Sequence, residues 1–318
     1  MFDISIIIIS FNTKELTLAC LKSIYKYLSG KTVFEVIVVD NNSIDGSQQG
    51  IEAFAGKNDN VRFIETGSNL GFAKANNAGI CAASGRQILL LNSDTYLIDD
   101  SILMAMQYLD GQHDVFGCGC TLLNADLTVG ISYGMFPEFL TVLRECLEGC
   151  LGKYRAMKPQ KPGCIYDIDM PCGAFFLIKK ELLEKTGYLD EQFFMYSEEP
   201  DLAKRAKKLG YRTVYFGLTR LVHLGGQSSM PKPVDTAAGK NVLEVKKIFY
   251  QSWERYLVKY HSRLYAFAVK TLFLSYCYYY YFVFRLKKNN EAVLNFLPEI
   301  LALKAGWGNK ADFSGNNS

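Results

Sequence analysis

The chain has 318 residues, 49% of them apolar, and a formal net charge of +3. This is enough for one large globular domain with an appendage, and it excludes the strong basic excess that would favour nucleic acid as the main partner. Nine cysteines, an odd number without zinc-site spacing, and a start that lacks a basic signal region favour a reduced, cytoplasmic compartment.

The first hundred residues alternate between strand and helix patterns. Apolar runs rich in β-branched residues predict strands at 4–10, 34–39, 61–64 and 87–91, and segment 15–28 has helical spacing of its apolar residues. Such alternation, with a period of roughly 30 residues, predicts an α/β fold with a parallel, right-handed sheet. The polar turns after these strands are then expected at one sheet edge, where α/β folds bind ligands.

Two of these strands end in carboxylates. Asp40 can accept a hydrogen bond from the imide N–H of a uracil or thymine ring; a role in an Asx-turn is the alternative. Asp94, which follows Asn92 and Ser93, suits a hard divalent cation that carries phosphate oxygens. Its alternative role is to cap a helix beginning near Asp99. No glycine-rich phosphate loop follows a strand, so a phosphate would be held through a metal.

The middle of the chain continues the strand and helix patterns. Segments 114–121 and 169–178 predict strands, and segment 180–185 predicts a helix that stops at Gly187. Segment 133–162 is predicted to be rich in loops with mixed helical character, and loops of this kind commonly carry substrate contacts.

A cluster of acidic residues precedes another predicted helix. Proline is favoured at the first helical position, so Pro200 predicts a helix start with Glu199 as the N-cap. The helix dipole favours an ionised Glu199, which makes it a candidate proton acceptor; capping alone is the alternative. Asp201 and Arg205 are spaced to pair on the helix surface. After a strand predicted at 212–216, His223 is a candidate metal ligand, with a structural role as the alternative.

The last seventy residues predict helices with an amphiphilic character. Segment 239–261 has an amphipathic pattern, and segment 264–284 is apolar with six tyrosines and Lys270 inside it. Tyrosine prefers the membrane–water interface, so we expect a helix on the membrane surface rather than a span; a core helix is the alternative. The cations that flank this segment are Arg263, Arg285, Lys287 and Lys288. Residues 305–318 are predicted to be disordered.

Seven pieces of the sequence together resemble the inverting family 2 glycosyltransferases of the GT-A fold, most closely their bacterial rhamnosyltransferase-like branch. The pieces occur in family order at 8–12, 38–47, 69–79, 89–95, 172–178, 198–202 and 222–226. The chain departs from the family pattern at Asn92, where a first aspartate is usual, and at Glu199, where the usual pair is Glu-Asp.

The resemblance implies a GT-A fold, which is Rossmann-like with a mostly parallel sheet. It implies a catalytic domain over 1–240, with a nucleotide-binding half (1–100) and an acceptor half (101–240), followed by C-terminal helices over 241–318. The implied reaction moves a sugar, for example rhamnose, from a UDP- or dTDP-sugar to a saccharide or lipid-linked saccharide. It would proceed by an inverting single displacement in the biosynthesis of cell-surface polysaccharide such as O-antigen or cell wall.

The resemblance also implies roles for single residues. Glu199 is the expected base, and Asp94 and His223 are the expected ligands of Mn²⁺ or Mg²⁺. Nucleotide binding is expected from Ser10, Asn12, Asp40, Asn69, Asn76, Asn92 and Ser93. The expected location is the cytoplasmic face of the plasma membrane, as a peripheral protein. A non-catalytic, nucleotide-sugar-binding scaffold of a polysaccharide assembly complex remains the alternative function.

Overall fold

The computed structural model describes residues 2–150, 160–225, 238–287 and 290–308. It divides into two compact units. The sheet unit comprises Met1–Met135, Gln160–Gln192 and Glu198–Ser228, and the helical unit comprises Phe136–Pro159, Phe193–Ser197 and Ser229–Ser318. Gly226 of the last family-like piece, the flanking Lys288 and the tail 309–318 lie outside the described residues.

The first half of the sheet unit alternates strictly between strands and helices. Its elements are β1 (Ile4–Ser10), α1 (Lys14–Leu28), β2 (Phe34–Asp40), α2 (Ser47–Ala55), β3 (Val61–Glu65), α3 (Phe72–Ala82) and β4 (Gln87–Asn92). The strands pair in parallel in the order β3-β2-β1-β4. Ile4, Ile6 and Ile8 of β1 enter one apolar cluster while Ile7 enters another, because both faces of the sheet are covered. The α/β pattern predicted for this half is confirmed.

The second half of the sheet unit is a mixture of parallel and antiparallel pairs. Its elements are β5 (Thr95–Tyr96), α4 (Ser101–Asp110), β6 (Val115–Leu123), β7 (Tyr133–Gly134), β8 (Ile165–Ile168), β9 (Met170–Pro171), β10 (Phe175–Lys179), α6 (Lys180–Thr186), α7 (Glu198–Lys208) and β11 (Arg212–His223). Strand β10 lies between β4 and β6 and runs antiparallel to both. Strands β6 and β11 are parallel, and β5 and β8 each pair antiparallel with β11.

Two strand predictions need correction here. The apolar segment 169–178, predicted as one strand, is two strands, because the chain turns between Pro171 and Phe175 and β9 pairs with β7 instead of joining the main sheet. The strand predicted at 212–216 continues to His223, since β11 pairs with β6 again beyond an irregularity between Phe216 and Arg220. The mostly parallel sheet is confirmed for the unit as a whole.

A buried carboxylate fixes the sheet edge opposite the polar turns. Glu35 is 2% exposed and accepts hydrogen bonds from Ser5 Oγ (2.6 Å), Ser84 N (2.7 Å) and Ser84 Oγ (2.8 Å). Burial opposes its ionisation, but these hydrogen bonds from Ser5 and Ser84 outweigh it and hold the pKa of Glu35 below its ordinary value. Glu35 is therefore a charged part of the core.

The helical unit consists of α5 (Phe139–Cys150), α8 (Ala238–Tyr260), α9 (Arg263–Leu286) and α10 (Asn290–Gly306) among the described residues. The helices predicted at 239–261 and 264–284 are confirmed as α8 and α9. The prediction of disorder from residue 305 onward is wrong for residues 305–308. Helix α10 continues to Gly306, and Trp307 packs edge-on against Trp253 with ring centroids 5.5 Å apart.

Candidate nucleotide and metal site

The carboxyl ends of β2, β1 and β4 bring three of the predicted site residues to one edge. Ser10 and Asp40 are register partners across β1 and β2, and Asn92 ends β4 beside Ile9 of β1. Polar groups from strands far apart in sequence therefore meet where an α/β sheet binds ligands.

Asp40 anchors the turn that follows β2. Its buried carboxylate accepts hydrogen bonds from Ser43 N (2.8 Å), Ser43 Oγ (2.6 Å) and Gln48 Nε2 (3.1 Å). Asn12, with a left-handed φ of 55°, closes the same turn: its N–H donates to Ser43 Oγ, and its Oδ1 accepts from Ile44 N. The turn role of Asp40 is thus observed, and its contact with a nucleotide base stays a prediction.

Ser10 and Ser93 belong to a buried chain of hydroxyl groups. Thr13 Oγ1 lies 3.2 Å from Ser93 Oγ and 3.1 Å from Thr17 Oγ1, which donates to Ser10 Oγ over 3.3 Å. All four residues are at most 1% exposed. This series of hydroxyl groups joins the ends of β1 and β4. A direct contact of Ser10 or Ser93 with the nucleotide stays a prediction.

The two asparagines predicted around α3 support its start. Asn69 Oδ1 accepts from Asn41 Nδ2 (2.8 Å) and from Gly71 N (3.0 Å). Asn76 is 1% exposed, and its Nδ2 donates to Phe72 O within the same helix over 2.9 Å. The Asn69 bonds shape the loop before α3 and the Asn76 bond lies in its first turn, while the nucleotide roles of Asn69 and Asn76 stay predictions.

Asp94 and His223 lie side by side because the short strand β5 pairs with the end of β11. His223 is the register partner of Thr95 across β11 and β5, and Leu224 N donates to Asp94 O over 2.9 Å. Asp94 Oδ1 and His223 Nε2 are 3.4 Å apart, with Asp94 1% exposed. Asp94 does not cap the following helix.

That helix, α4, begins at Ser101, whose N–H donates instead to Asp99 Oδ1 over 3.0 Å.

This pair of side chains fits a divalent cation. His223 Nε2 is buried and makes no hydrogen bond to any described residue, although a buried ring nitrogen normally has a partner. Two ligands about 2.1 Å from one cation, in adjacent positions, are about 3.0–3.4 Å from each other, which matches the observed 3.4 Å. The described residues contain no cluster of three or more metal-ligating side chains, so water and phosphate oxygens would complete the shell.

The helix that carries Glu199 begins earlier than predicted. Helix α7 starts at Glu198, because Tyr196 and Ser197 both adopt left-handed φ values, 69° and 70°, and turn the chain into the helix. Pro200 is then the third helical residue, which is allowed because N–H groups of the first turn have no helical partner. The prediction of Glu199 as N-cap is therefore wrong, and Glu199 lies inside the first turn.

Burial dominates the electrostatics of Glu199. It raises the pKa of the Glu199 carboxyl, and hydrogen bonds from its own backbone N–H and from Glu198 offset this only in part. The ionised state predicted from the helix dipole is thus opposed by desolvation. Burial, with smaller contributions from the charges of Glu199 and Asp94, raises the pKa of the neighbouring Cys172 thiol to about 11. The proposed base and the proposed metal ligand therefore both act on one thiol.

Arg205 ties α7 to the preceding turn. Arg205 pairs with Asp201 at 2.8 Å, as predicted, but the pair does not lie on the helix surface, because the side chain of Asp201 is fully buried. Its guanidinium also donates to the carbonyls of Thr186 (2.7 Å), Gly187 (2.9 Å) and Tyr188 (2.7 Å).

Two parts of the site were not predicted. No pattern in the sequence indicates that the hydroxyl groups of Thr13 and Thr17 link Ser10 to Ser93. The turn at Cys172 and Gly173 did leave a signal, since two small residues interrupt an otherwise apolar run, but nothing in the run indicates what packs against Gly173.

The family of the chain follows from its sequence. The model of the family described as Glycosyl transferase family 2 matches residues 5–187, which is more than half of the chain. The chain belongs to this glycosyltransferase family, and the GT-A fold expected from the resemblance is confirmed.

Two relatives each match about two thirds of the chain. The low-salt glycan biosynthesis hexosyltransferase of Haloferax volcanii is 28% identical over 213 residues, covering 65% of this chain and 62% of the relative. The N-acetylglucosaminyl-diphospho-decaprenol L-rhamnosyltransferase of Mycobacterium tuberculosis is 25% identical over 225 residues, covering 64% and 70%. The match thus spans less than two thirds of the Haloferax protein.

A solved structure agrees over nearly the whole chain. The mannosyltransferase PcManGT from Pyrobaculum calidifontis, in complex with GDP-Man and Mn²⁺, has a TM-score of 0.61 and 16% identity, covering 97% of this chain and 88% of that one. At this identity the likeness concerns the fold alone.

Proposed function

We propose that this chain transfers a sugar from a UDP- or dTDP-linked donor to a saccharide or lipid-linked saccharide acceptor, in the biosynthesis of a cell-surface glycan. The observation that carries the proposal is the pairing of Asp94 with His223 at 3.4 Å, at the sheet edge that also carries Asp40. The names of the Haloferax and Mycobacterium relatives, a glycan hexosyltransferase and a lipid-linked rhamnosyltransferase, support the substrate class.

Glu199 would act as the base of a single displacement. Its carboxylate takes the proton of the acceptor hydroxyl while that oxygen bonds to the anomeric carbon and the bond to the diphosphate breaks, which inverts the anomeric centre. The raised pKa makes Glu199 a stronger base once ionised. Asp94 Oδ1 and His223 Nε2 would hold Mn²⁺ or Mg²⁺. A bound divalent cation supplies positive charge to the leaving nucleoside diphosphate.

The direct test is release of UDP or dTDP from a panel of nucleotide sugars, with a polyprenyl-linked saccharide present and with Mn²⁺ or Mg²⁺. We expect turnover of at least one donor, and a loss of about 100-fold or more in Glu199→Gln with donor binding retained. A wild-type chain that binds donors but turns none over would refute the enzyme and favour the scaffold function.

We also propose that α9 rests on the membrane in which a lipid-linked acceptor lies, at its cytoplasmic face. None of the described helices is long and apolar enough to cross a bilayer. One face of α9 packs inside the helical unit through Ala266, Val269 and Cys277. The opposite face is exposed and largely apolar; its large side chains are Leu264, Phe267, Tyr278, Tyr279, Phe282 and Leu286.

Exposed cations accompany this apolar face: Arg263 begins α9, Arg285 lies in its last turn, and Lys287 caps it. Apolar area together with basic side chains suits a surface of anionic lipid.

Serine substitutions on that face test membrane binding better than truncation. Removing α9 and α10 would uncover Trp253 of α8, which is 5% exposed and packs against Phe273 of α9. We expect the double variant Phe267→Ser/Phe282→Ser to lose binding to phosphatidylcholine vesicles containing phosphatidylglycerol, and wild-type binding to weaken with salt. The control is Ile44→Ser, since Ile44 is equally apolar and 89% exposed in the sheet unit. Wild-type indifference to these vesicles would contradict the proposal.

A further inference from the structure

Gly173 lies in the turn between β9 and β10, and the side chain of Glu199 occupies the space beside its Cα. A methyl group built on its Cα would stand 1.8 Å from Glu199 Oε1, 3.0 Å from Glu199 Cδ and 3.4 Å from Glu199 Cγ. The backbone of Gly173 is not in the left-handed region, so its conformation is open to any residue. The absence of a side chain at Gly173 therefore serves only to leave space, and the Glu199 carboxyl fills that space.

Two other crowded glycines of the sheet unit, Gly85 and Gly117, differ in this respect. At Gly85 a methyl group would stand 2.5 Å from Ser5 N, and at Gly117 it would stand 2.5 Å from Leu177 O. Those two contacts are with backbone, which cannot give way, so these glycines serve the fold. At Gly173 the obstructed atoms are the end of a flexible side chain, which can move at small cost to stability.

The turn around Gly173 is held at three points. Cys172 N donates to Ser132 O over 2.9 Å, and Phe175 N closes the turn on Cys172 O over 3.2 Å. Asn92 N donates to Ala174 O over 3.2 Å. The last bond fixes the turn directly to the Asn92-Ser93-Asp94 segment.

We propose that Gly173 is a positioning residue, whose turn holds the Glu199 carboxyl at a set place relative to Asp94. This inference rests on the proposed function, because it gives Glu199 the role of base. It explains why a glycine stands where backbone geometry requires none. A base displaced by about 1 Å can lose on the order of 100-fold in rate.

The variant Gly173→Ala tests the proposal, with Gly111→Ala as its matched control, since a methyl group at Gly111 meets nothing closer than 3.5 Å. We expect Gly173→Ala to lose about 100-fold in kcat with donor KM changed by less than about threefold. The acid limb of its pH–rate profile should move to lower pH, because a displaced carboxyl is better hydrated. Kinetics and a pH profile equal to those of Gly111→Ala would overturn the proposal.

A stability cycle tests the same contact without activity. If the methyl group meets only Glu199, any Tm loss in Gly173→Ala should disappear in the Glu199→Ala background. A Tm loss that persists in the Glu199→Ala background would show that the methyl group meets some other group, and it would overturn the proposal. This comparison remains decisive if Gly173→Ala alone folds poorly. Glu199→Gln with full transfer activity would instead refute the proposed function. An inactive Glu199→Gln together with a fully active Gly173→Ala would refute only the role of Gly173.

Discussion

Substitution of Arg205 should destabilise the sheet unit far more than substitution of an exposed cation on the same helix. In Arg205→Met, the carbonyls of Thr186, Gly187 and Tyr188 lose a charged donor, and the fully buried carboxylate of Asp201 loses its cation. A substitution that removes one partner of a buried ion pair typically lowers the free energy of unfolding by about 3–5 kcal/mol. Because the Arg205 side chain is 22% exposed, we take the lower end, about 3 kcal/mol.

Calorimetric unfolding measures this effect. A loss of about 3 kcal/mol should lower the Tm of a unit of this size by roughly 6–12 °C. Lys207→Met is the control on α7, since Lys207 pairs with Asp169 at 3.1 Å but is 66% exposed; it should cost less than about 0.5 kcal/mol. Arg205→Lys should recover less than half of the loss, because an ammonium lacks the planar fork that reaches several acceptors. Equal Tm shifts for Arg205→Met and Lys207→Met would refute the reasoning.

Three further outcomes follow from the geometry. Asp94→Ala should weaken nucleotide-diphosphate binding, measured calorimetrically, only when Mn²⁺ is present; equal weakening with EDTA would show that Asp94 acts without a metal. Because the pKa of Glu199 is raised and the base must be ionised, kcat/KM should fall as the pH decreases, with its midpoint above 4.5, and a midpoint at or below 4.5 would contradict the burial argument. Glu35, whose pKa is lowered, should contribute stability that is present above pH 4.5 and lost as the pH falls through its lower folded value. Urea unfolding should show this acid loss in the wild type and not in Glu35→Gln.

The sequence was sufficient for the first half of the sheet and for most helices, because those elements depend on local patterns. The run from Ile4 to Ser10 is apolar on both faces, so it predicts a buried strand wherever its partners lie. The same local reasoning gave the end of α6 at Gly187, which has a φ of 83°.

The elements that were mispredicted depend on contacts between distant residues. Nothing near Phe175 indicates that β10 pairs antiparallel with β4, and no local pattern extends β11 beyond Phe216. The start of α7 was mispredicted because Tyr196 and Ser197, which are not glycines, adopt the left-handed conformation.

The candidate site shows the same division between local and distant information. Residue types and spacing identified Asp94 and His223, and the pairing of β5 with β11 brings them together. The raised pKa of Glu199 was not predicted, because desolvation depends on the fold around the side chain rather than on its neighbours in sequence. For the same reason, the sequence could not indicate that Gly173 makes room for Glu199.

The place of β10 in the sheet also affects how the chain folds during synthesis. Strands β1 to β4 can pair as soon as they emerge, but the second edge of β4 is closed only by β10, roughly 90 residues later. At ribosomal speeds this delay is on the order of 5–20 s. During that time Leu89, Leu90 and Leu91 lie on an open strand edge, which is a template for pairing with other chains. We therefore expect nascent chains that end between β4 and β10 to depend on chaperones more than the completed protein does.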